Sequence, residues 1–413
     1  MEGLSPLYRR VAGIDVHKML HVVTVVVEHA DGTIEQQSRE FGGFKRDCRA
    51  LSTWLAELGV ELVVMESTGI YWKSLYAHLE RAGINAWVVN AHFVKHVPGR
   101  KTDMNDSQWL AVLARFGLVR GSFIPPQDLR ELRLVSRYRR KLTAMRASEI
   151  NRLHKILDDG GIKLGGVVSD INGLSAREMV AGLIDGKPIN ALLDMARGRL
   201  KLRREELQAA LDGDLTARHR FILEHIKVHI DVLEQSLTEL DAYILGAMVP
   251  YQWAHRLLQT IPGIDQIASA LILIEIGDDM TRFGSADRIA AWAALCPGNN
   301  ESAGKRKTGR IGKGSSVIRY IMCECANSAW KTKSSLAAKY KSLMVRKTHN
   351  KAIIAIAHKM IRLIFLLLIR KVAYHDPQID YQAMSVKKNA PRWIKQLKAI
   401  GQWPDKAATP TSA

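Results

Sequence analysis

Four acidic residues carry the first chemistry this chain suggests. Asp15 interrupts the apolar run VAGIDV, and Glu66 closes the run VELVVME. Asp103 and Asp106 stand three apart in GRKTDMNDSQWL, just after Arg100 and Lys101. A lone carboxylate in an apolar strand is costly unless it is paired, hydrogen-bonded or metal-bound. Strand ends are also where the sites of α/β sheets collect. If Asp103 and Asp106 share a helix, their spacing puts the two Cβ atoms roughly 5–6 Å apart on one face. Four converging carboxylates would repel one another. Mg2+ (or Mn2+) relieves that conflict, because it takes hard oxygen ligands. A pair of such ions can clamp the attacking and leaving oxygens of a phosphodiester. Read singly, Asp103 is equally an N-cap, Asp106 a first-turn acid favoured by the helix dipole, and Glu66 a solvated strand end. Asp15 is the hardest to explain that way.

A second candidate lies far along the chain. ESAGKRKTGRIGKGSSVIR (301–319) holds six Lys/Arg against one acid, with four glycines and three serines. Small residues let a backbone approach a phosphate, and cations neutralise it. The cations of interest are Lys305, Arg306, Lys307, Arg310 and Lys313. Ser302, Ser315 and Ser316 are candidate nucleophiles, but a serine hydroxyl needs a base or metal to activate it. Composition alone reads this stretch as a flexible nucleic-acid-binding loop whose serines only hydrogen-bond. Cys48, Cys296, Cys323 and Cys325 form no CxxC pair, and buried free thiols are the expectation.

The elements that must position these residues follow from periodicity. VAGIDV (11–16), HVVTVVVE (21–28) and GTIEQQSREF (32–41) read as three strands, opening with hairpins. Then come a helix (44–59), a strand (60–66), a helix (71–83), a strand (84–90) and a helix from Asp103. That order predicts an α/β mixed sheet of RNase H-like kind rather than a doubly wound parallel sheet. We expect this first domain over 1–125. A helical, coiled-coil linker and oligomerisation region follows over 126–250. It contains a strongly basic helix (128–155) with Arg137, Arg139, Arg140 and Lys141. Its seam, Ile222, Ile226, Ile230, Leu233, Leu237, Leu240 and Ile244, steps by threes and fours. A short seam of this kind suits an intramolecular hairpin or a dimer interface. A mainly helical domain over 251–385 opens with LLQTIPGIDQIASALILIEIG, which resembles a helix-hairpin-helix. Such a turn can offer N–H groups to a phosphate, or be a plain helical turn. A tail is expected over 386–413.

The net charge of +19 favours a polyanionic partner, nucleic acid before membrane. Membrane insertion is not expected: the most apolar stretch, 353–372, includes His358, Lys359 and Arg362. No signal-peptide pattern opens the chain, so a cytoplasmic, nucleoid-associated location is the expectation.

Several separated segments together resemble one family. GIDVHK, ESTGIYW at 66–72, VNAHFVKHVPGRKTDMNDSQWLA at 89–111, the IPGI turn and CPGNNESAGKRKTGRIGKG are similar to the IS110/IS1111-family transposases, the serine-type DEDD recombinases. The resemblance covers about residues 10–125 and 255–345, and the middle is similar only in being helical. It implies a RuvC-like domain whose acidic tetrad, Asp15, Glu66, Asp103 and Asp106, holds Mg2+. It implies a C-terminal transposase domain whose nucleophile is Ser302, with Ala303 departing from the glycine of many members. It further implies a composite active site, often shared between subunits. Catalysis would use a covalent phosphoserine and a Holliday-junction-like intermediate on donor and target DNA. A structured guide RNA and assembly as homo-dimers or tetramers are also implied. A metal-only RuvC-like endonuclease and a catalytically inert nucleic-acid scaffold are the rivals.

Overall fold

The structure, a computed structural model, describes residues 5–66, 69–90, 94, 105–296, 300–302, 305–308, 311–312 and 314–403. The β-branched runs at the start of the chain form β1 (Arg10–Val16), β2 (Leu20–Glu28), β3 (Ile34–Gly42), β4 (Leu62–Glu66) and β5 (Ala86–Val89). They make one sheet in the order β3-β2-β1-β4-β5. The first three strands pair antiparallel, whereas β1–β4 and β4–β5 pair parallel. The mixed sheet expected from the strand order is therefore present.

Side chains alternate across a strand, so each strand feeds two cores. On one face Ala12, Ile14, Val16, Val63 and Met65 pack with Leu51 and Leu55 of α1 (Lys45–Glu57) and Leu75 and Leu79 of α2 (Trp72–Arg81). On the other face Val11, Leu62 and Val64 pack with Trp109, Leu110 and Leu113 of α3 (Asp106–Arg115). This second core fixes which way the acidic residues face.

The start of α3 differs from expectation. Asn105, with extended backbone, is its N-cap: the Asn105 side chain accepts from Gln108 N, and the Gln108 side chain accepts from Asn105 N. The helix thus begins at Asp106, and the shared helical face expected for Asp103 and Asp106 is not provided by α3. Asp103 itself lies outside the described residues, as do Arg100 and Lys101.

The chain divides into two units, Met1–Gln127 and Asp128–Ala413. In the second, α4 (Gln127–Asp159) and α9 (Ala217–Gly246) run antiparallel. The direction is set by the pairings Arg139–Asp241, Arg146–Glu234, His229–Glu149 and His219–Asp159. Ile226, Ile230, Leu233, Leu237 and Ile244 of the expected seam are buried. Leu153 and Leu157 of α4 cluster with Ile226 and Ile230, and Leu142 with Leu233 and Leu237, so this stretch of the seam closes within one chain. Ile222 is exposed and its neighbour Leu223 is buried instead, a one-residue phase slip at the seam's start. Between the two helices, α5 (Leu164–Val167), α6 (Leu174–Ile184), α7 (Ile189–Leu193) and α8 (Arg204–Leu211) fold against their tips around Met179, Leu192 and Leu207.

The remainder contains α10 (Gln252–Leu258), α11 (Gln266–Ile276) and α12 (Ala286–Trp292), then the hairpin β6 (Asn300–Ser302) and β7 (Lys305–Thr308). Four more helices follow: α13 (Ser316–Ala329), α14 (Ser335–Met344), α15 (His349–Arg370) and α16 (Tyr381–Ala399). The last of these crosses the boundary expected at 385/386. By length and composition α15 could cross a membrane. Its Ile353, Ile356, Met360, Ile361 and Ile364 are buried against the protein, which makes it the central helix of this part of the fold.

Candidate active site

The carboxylates of the first unit are placed by register. Ile14 of β1 lies opposite Met65 of the parallel strand β4, so the next residues, Asp15 and Glu66, sit level at the C-terminal ends of adjacent strands. Adjacent strands lie about 4.7–4.9 Å apart. Asp15 follows Val11 and Gly13 on one face, and Glu66 follows Leu62 and Val64. Both therefore face the side covered by α3, whose first residue is Asp106.

Two devices hold the first turn of α3 over this corner. Gly13 is one: a Cβ there would lie 2.1 Å from the carbonyl oxygen of Ser107 and 2.4 Å from Ala111 N. Only glycine lets the helix backbone come down onto the strand. The other is a chain of hydroxyls. Thr24, directly opposite Gly13 on β2, is fully buried. Its Oγ1 is 2.7 Å from Ser107 Oγ and 3.0 Å from Ser38 Oγ. Ser107 donates its one hydroxyl proton to Asn105 Oδ1, so it must accept from Thr24, which in turn accepts from Ser38. At the far end of α3, Arg115 donates to Glu28 at 2.7 Å. The helix that begins with Asp106 is thus pinned at both ends.

His17, which the sequence reading did not single out, places Nε2 3.1 Å from Asp15 Oδ2. Asp15 and Glu66 are half-buried, so solvent reaches the corner. Among the described residues no three His, Cys, Asp or Glu side chains already surround one point. The described donors nonetheless fit a hard cation in kind. All three are carboxylates, two at strand ends and one at a helix start, on the same side of one sheet.

Ser302 lies in the second unit, at the turn end of the β6–β7 hairpin, directly opposite Lys305. Arg306 pairs with Glu301, and Lys307 also lies on β7. Arg310 and Lys313 fall outside the described residues. Ser315 is the N-cap of α13, accepting from Ile318 N, and its own N–H donates to Trp292 O. A Cβ on Gly314 would lie 2.4 Å from that same carbonyl, so this end of the loop is docked. Ser315 therefore has a structural task, and Ser316 is the exposed first residue of α13.

Two family profiles match the chain where these features lie. A transposase profile of the IS110 DEDD type matches residues 12–161, and the profile "Transposase IS116/IS110/IS902 family" matches residues 255–341. The chain belongs to the IS110 family of transposases. A probable family 20 transposase of Pseudomonas aeruginosa is 23% identical over 76% of this chain and 85% of its own length. The transposase for insertion sequence element IS1111A of Coxiella burnetii is 24% identical over 78% of this chain and 81% of its own. The insertion element IS900 uncharacterized 42 kDa protein of Mycobacterium paratuberculosis is 23% identical over 88% and 96%.

In this transposase the basic helix α4 divides its cations. Arg139 forms a bidentate pair with Asp241. Arg137 lies 3.4 Å from Glu275, a residue only 1% exposed. Arg133 donates to the carbonyls of Ile274 and Glu275, and its Nε is 3.2 Å from Glu275 Oε2. That last approach lacks hydrogen-bond geometry, so the attraction is ionic. Burial brings the Arg133 guanidinium down to about 10 against the support of Glu275. Arg140 and Lys141 remain exposed, with Arg140 stacked 4.8 Å over the Tyr320 ring of α13. The IPGI turn between α10 and α11 is used for packing. Gly263, at φ +88°, would place a Cβ 2.5 Å from both Ala329 N and Cys325 O of α13. Its glycine serves the close approach of the turn to α13.

Proposed function

We propose that this transposase cuts and exchanges DNA strands through a phosphoserine at Ser302, with Mg2+ held by Asp15, Glu66, Asp103 and Asp106. The observation that carries the reading is the level placement of Asp15 and Glu66 on adjacent parallel strands, beneath the helix that starts at Asp106. The mixed sheet with its three-stranded antiparallel opening supports a RuvC-like, RNase H-type assignment for the first unit. Mg2+ would neutralise the carboxylates and stabilise charge on the phosphoryl oxygens.

The chemistry of the serine is a transesterification. The Ser302 hydroxyl gives up its proton, and its oxygen bonds to phosphorus as the bond to the departing deoxyribose oxygen breaks. The departing oxygen takes a proton. The phosphodiester is conserved as a serine ester, so a DNA hydroxyl on a new partner reverses the step without an energy source. Lys305, opposite Ser302, and the exposed Arg140 and Lys141 supply positive charge for the DNA backbone.

An element-encoded structured RNA supplies the target sequence in this reading, on the strength of the family resemblance. Sequencing RNA that co-purifies with the protein tests it: one enriched, structured species supports guidance, and random cellular RNA overturns it. Homo-dimers or tetramers belong to the same reading. Val228 and Val232, both more than half exposed on α9, offer an apolar face beyond the seam already closed within the chain. A RuvC-like endonuclease that uses water in place of Ser302 is the alternative. The two separate on whether cut DNA stays attached to protein.

A further inference from the structure

The charge of this chain is concentrated where neither family profile reaches in full. Residues 331–403 hold sixteen Lys/Arg and two acids, Asp376 and Asp380, and so carry most of the net charge of +19. Both acids are engaged by backbone: Asp376 accepts from Ser335 N and Gln378 N, and Asp380 accepts from Ala383 N. They serve turns and helix starts.

The last helix, α16, concentrates the effect. It has Lys387, Lys388, Arg392, Lys395 and Lys398 and no acid. All five are exposed, and none forms an ion pair among the described residues. Where the cations stand, the half-buried residues Asn389, Ala390, Trp393 and Ile394 mark the packed side of the helix. At 100° per residue, Lys388, Arg392 and Lys395 fall on the side away from that stripe, flanked by Lys387 and Lys398. The helix is anchored at its start. The Tyr381 ring has Lys339 Nζ at 4.8 Å and Lys359 Nζ at 4.4 Å, and Lys359 donates to the Tyr381 hydroxyl at 2.6 Å. The cationic ridge from Lys387 to Lys398 is about 17 Å long at the helical rise. Duplex DNA offers one phosphate charge per roughly 1.7 Å of axis.

We propose that α16 is a DNA-binding element of this transposase that grips the phosphate backbone of duplex DNA through Lys387, Lys388, Arg392, Lys395 and Lys398, apart from the serine hairpin. A polyanion is needed to match an unpaired ridge of one sign, and duplex DNA is the polyanion a transposase must hold. The proposal rests on DNA as substrate and is independent of the phosphoserine step.

The test uses the full chain and a short duplex of unrelated sequence, with binding followed by fluorescence anisotropy over a salt series. In a variant with K387Q, K388Q, R392Q, K395Q and K398Q, duplex binding is expected to weaken at least tenfold at about 0.1 M salt. The log–log salt slope becomes shallower by about 0.9 for each phosphate that the protein no longer neutralises. A charge-keeping variant with K387R, K388R, R392K, K395R and K398R keeps both affinity and slope. Unchanged duplex binding and slope in the glutamine variant overturn the proposal. So does an equal loss in the charge-keeping variant, which would mean that shape matters and charge does not. A loss confined to single-stranded RNA, with duplex binding intact, also overturns it.

Discussion

The Thr24 hydroxyl lies 2.7 Å from the Ser107 hydroxyl, beneath the first turn of α3, and both residues are buried. Thr24→Val keeps the shape and leaves the Ser107 and Ser38 hydroxyls a partner short. Loss of a buried partner costs about 1–3 kcal/mol. Because the bond positions the helix that begins with Asp106, DNA cleavage should fall by more than the loss of folded protein explains. Chemical denaturation and single-turnover cleavage on the same preparation measure the two. Full cleavage by the folded fraction would mean that the bond only stabilises.

Removing single carboxylates should separate chemistry from folding. Asp15→Asn, Glu66→Gln and Asp106→Asn are each expected to abolish Mg2+-dependent cleavage. All three sites are open enough to solvent that stability should change by about 0.5 kcal/mol or less. Cleavage assays and thermal melts check this. Wild-type cleavage by Asp15→Asn would favour an inert scaffold.

The second unit should depend on Glu275. It is 1% exposed and faces Arg133 and Arg137, so Glu275→Gln strands a buried guanidinium. Breaking one side of a buried pair costs about 3–5 kcal/mol. The melt of the second unit should drop accordingly, and an unchanged transition would show that the pair is dispensable.

Acid should weaken the first unit through His21. Burial lowers its pKa, against a hydrogen bond to the Leu20 backbone that works the other way. Between the lowered folded value and the ordinary 6.5, the unfolded chain holds more protons. Stability therefore falls as pH drops below 6.5. His21→Phe should flatten this dependence in denaturation series from about pH 7.5 to 5.5. An equal slope in wild type and variant would place the acid sensitivity elsewhere.

The strands of the first unit were legible because runs such as VAGIDV and HVVTVVVE combine β-branched residues with short polar gaps. Asp15 stood out for the same reason: a carboxylate there breaks the run. Gly13, Thr24 and Ser107 were not legible, because their roles depend on which strands pair and which helix crosses them. The helix expected from Asp103 starts three residues later, at Asp106, because Asn105 and Gln108 form the capping pair. In α9 the apolar spacing gave the seam but not its partner, since packing on α4 and dimerisation use the same pattern. The cations of α4 looked alike in sequence. Only the positions of Asp241 and Glu275 distinguish Arg139 and Arg137 from the exposed Arg140 and Lys141.

The most direct test of the account is a suicide DNA substrate whose cut end cannot religate, incubated with Mg2+ and run under denaturing conditions. The account predicts a DNA–protein adduct that survives denaturation, maps by mass spectrometry to Ser302 and disappears in Ser302→Ala. Efficient cutting that leaves free DNA ends and no adduct, equal in wild type and Ser302→Ala, would contradict it.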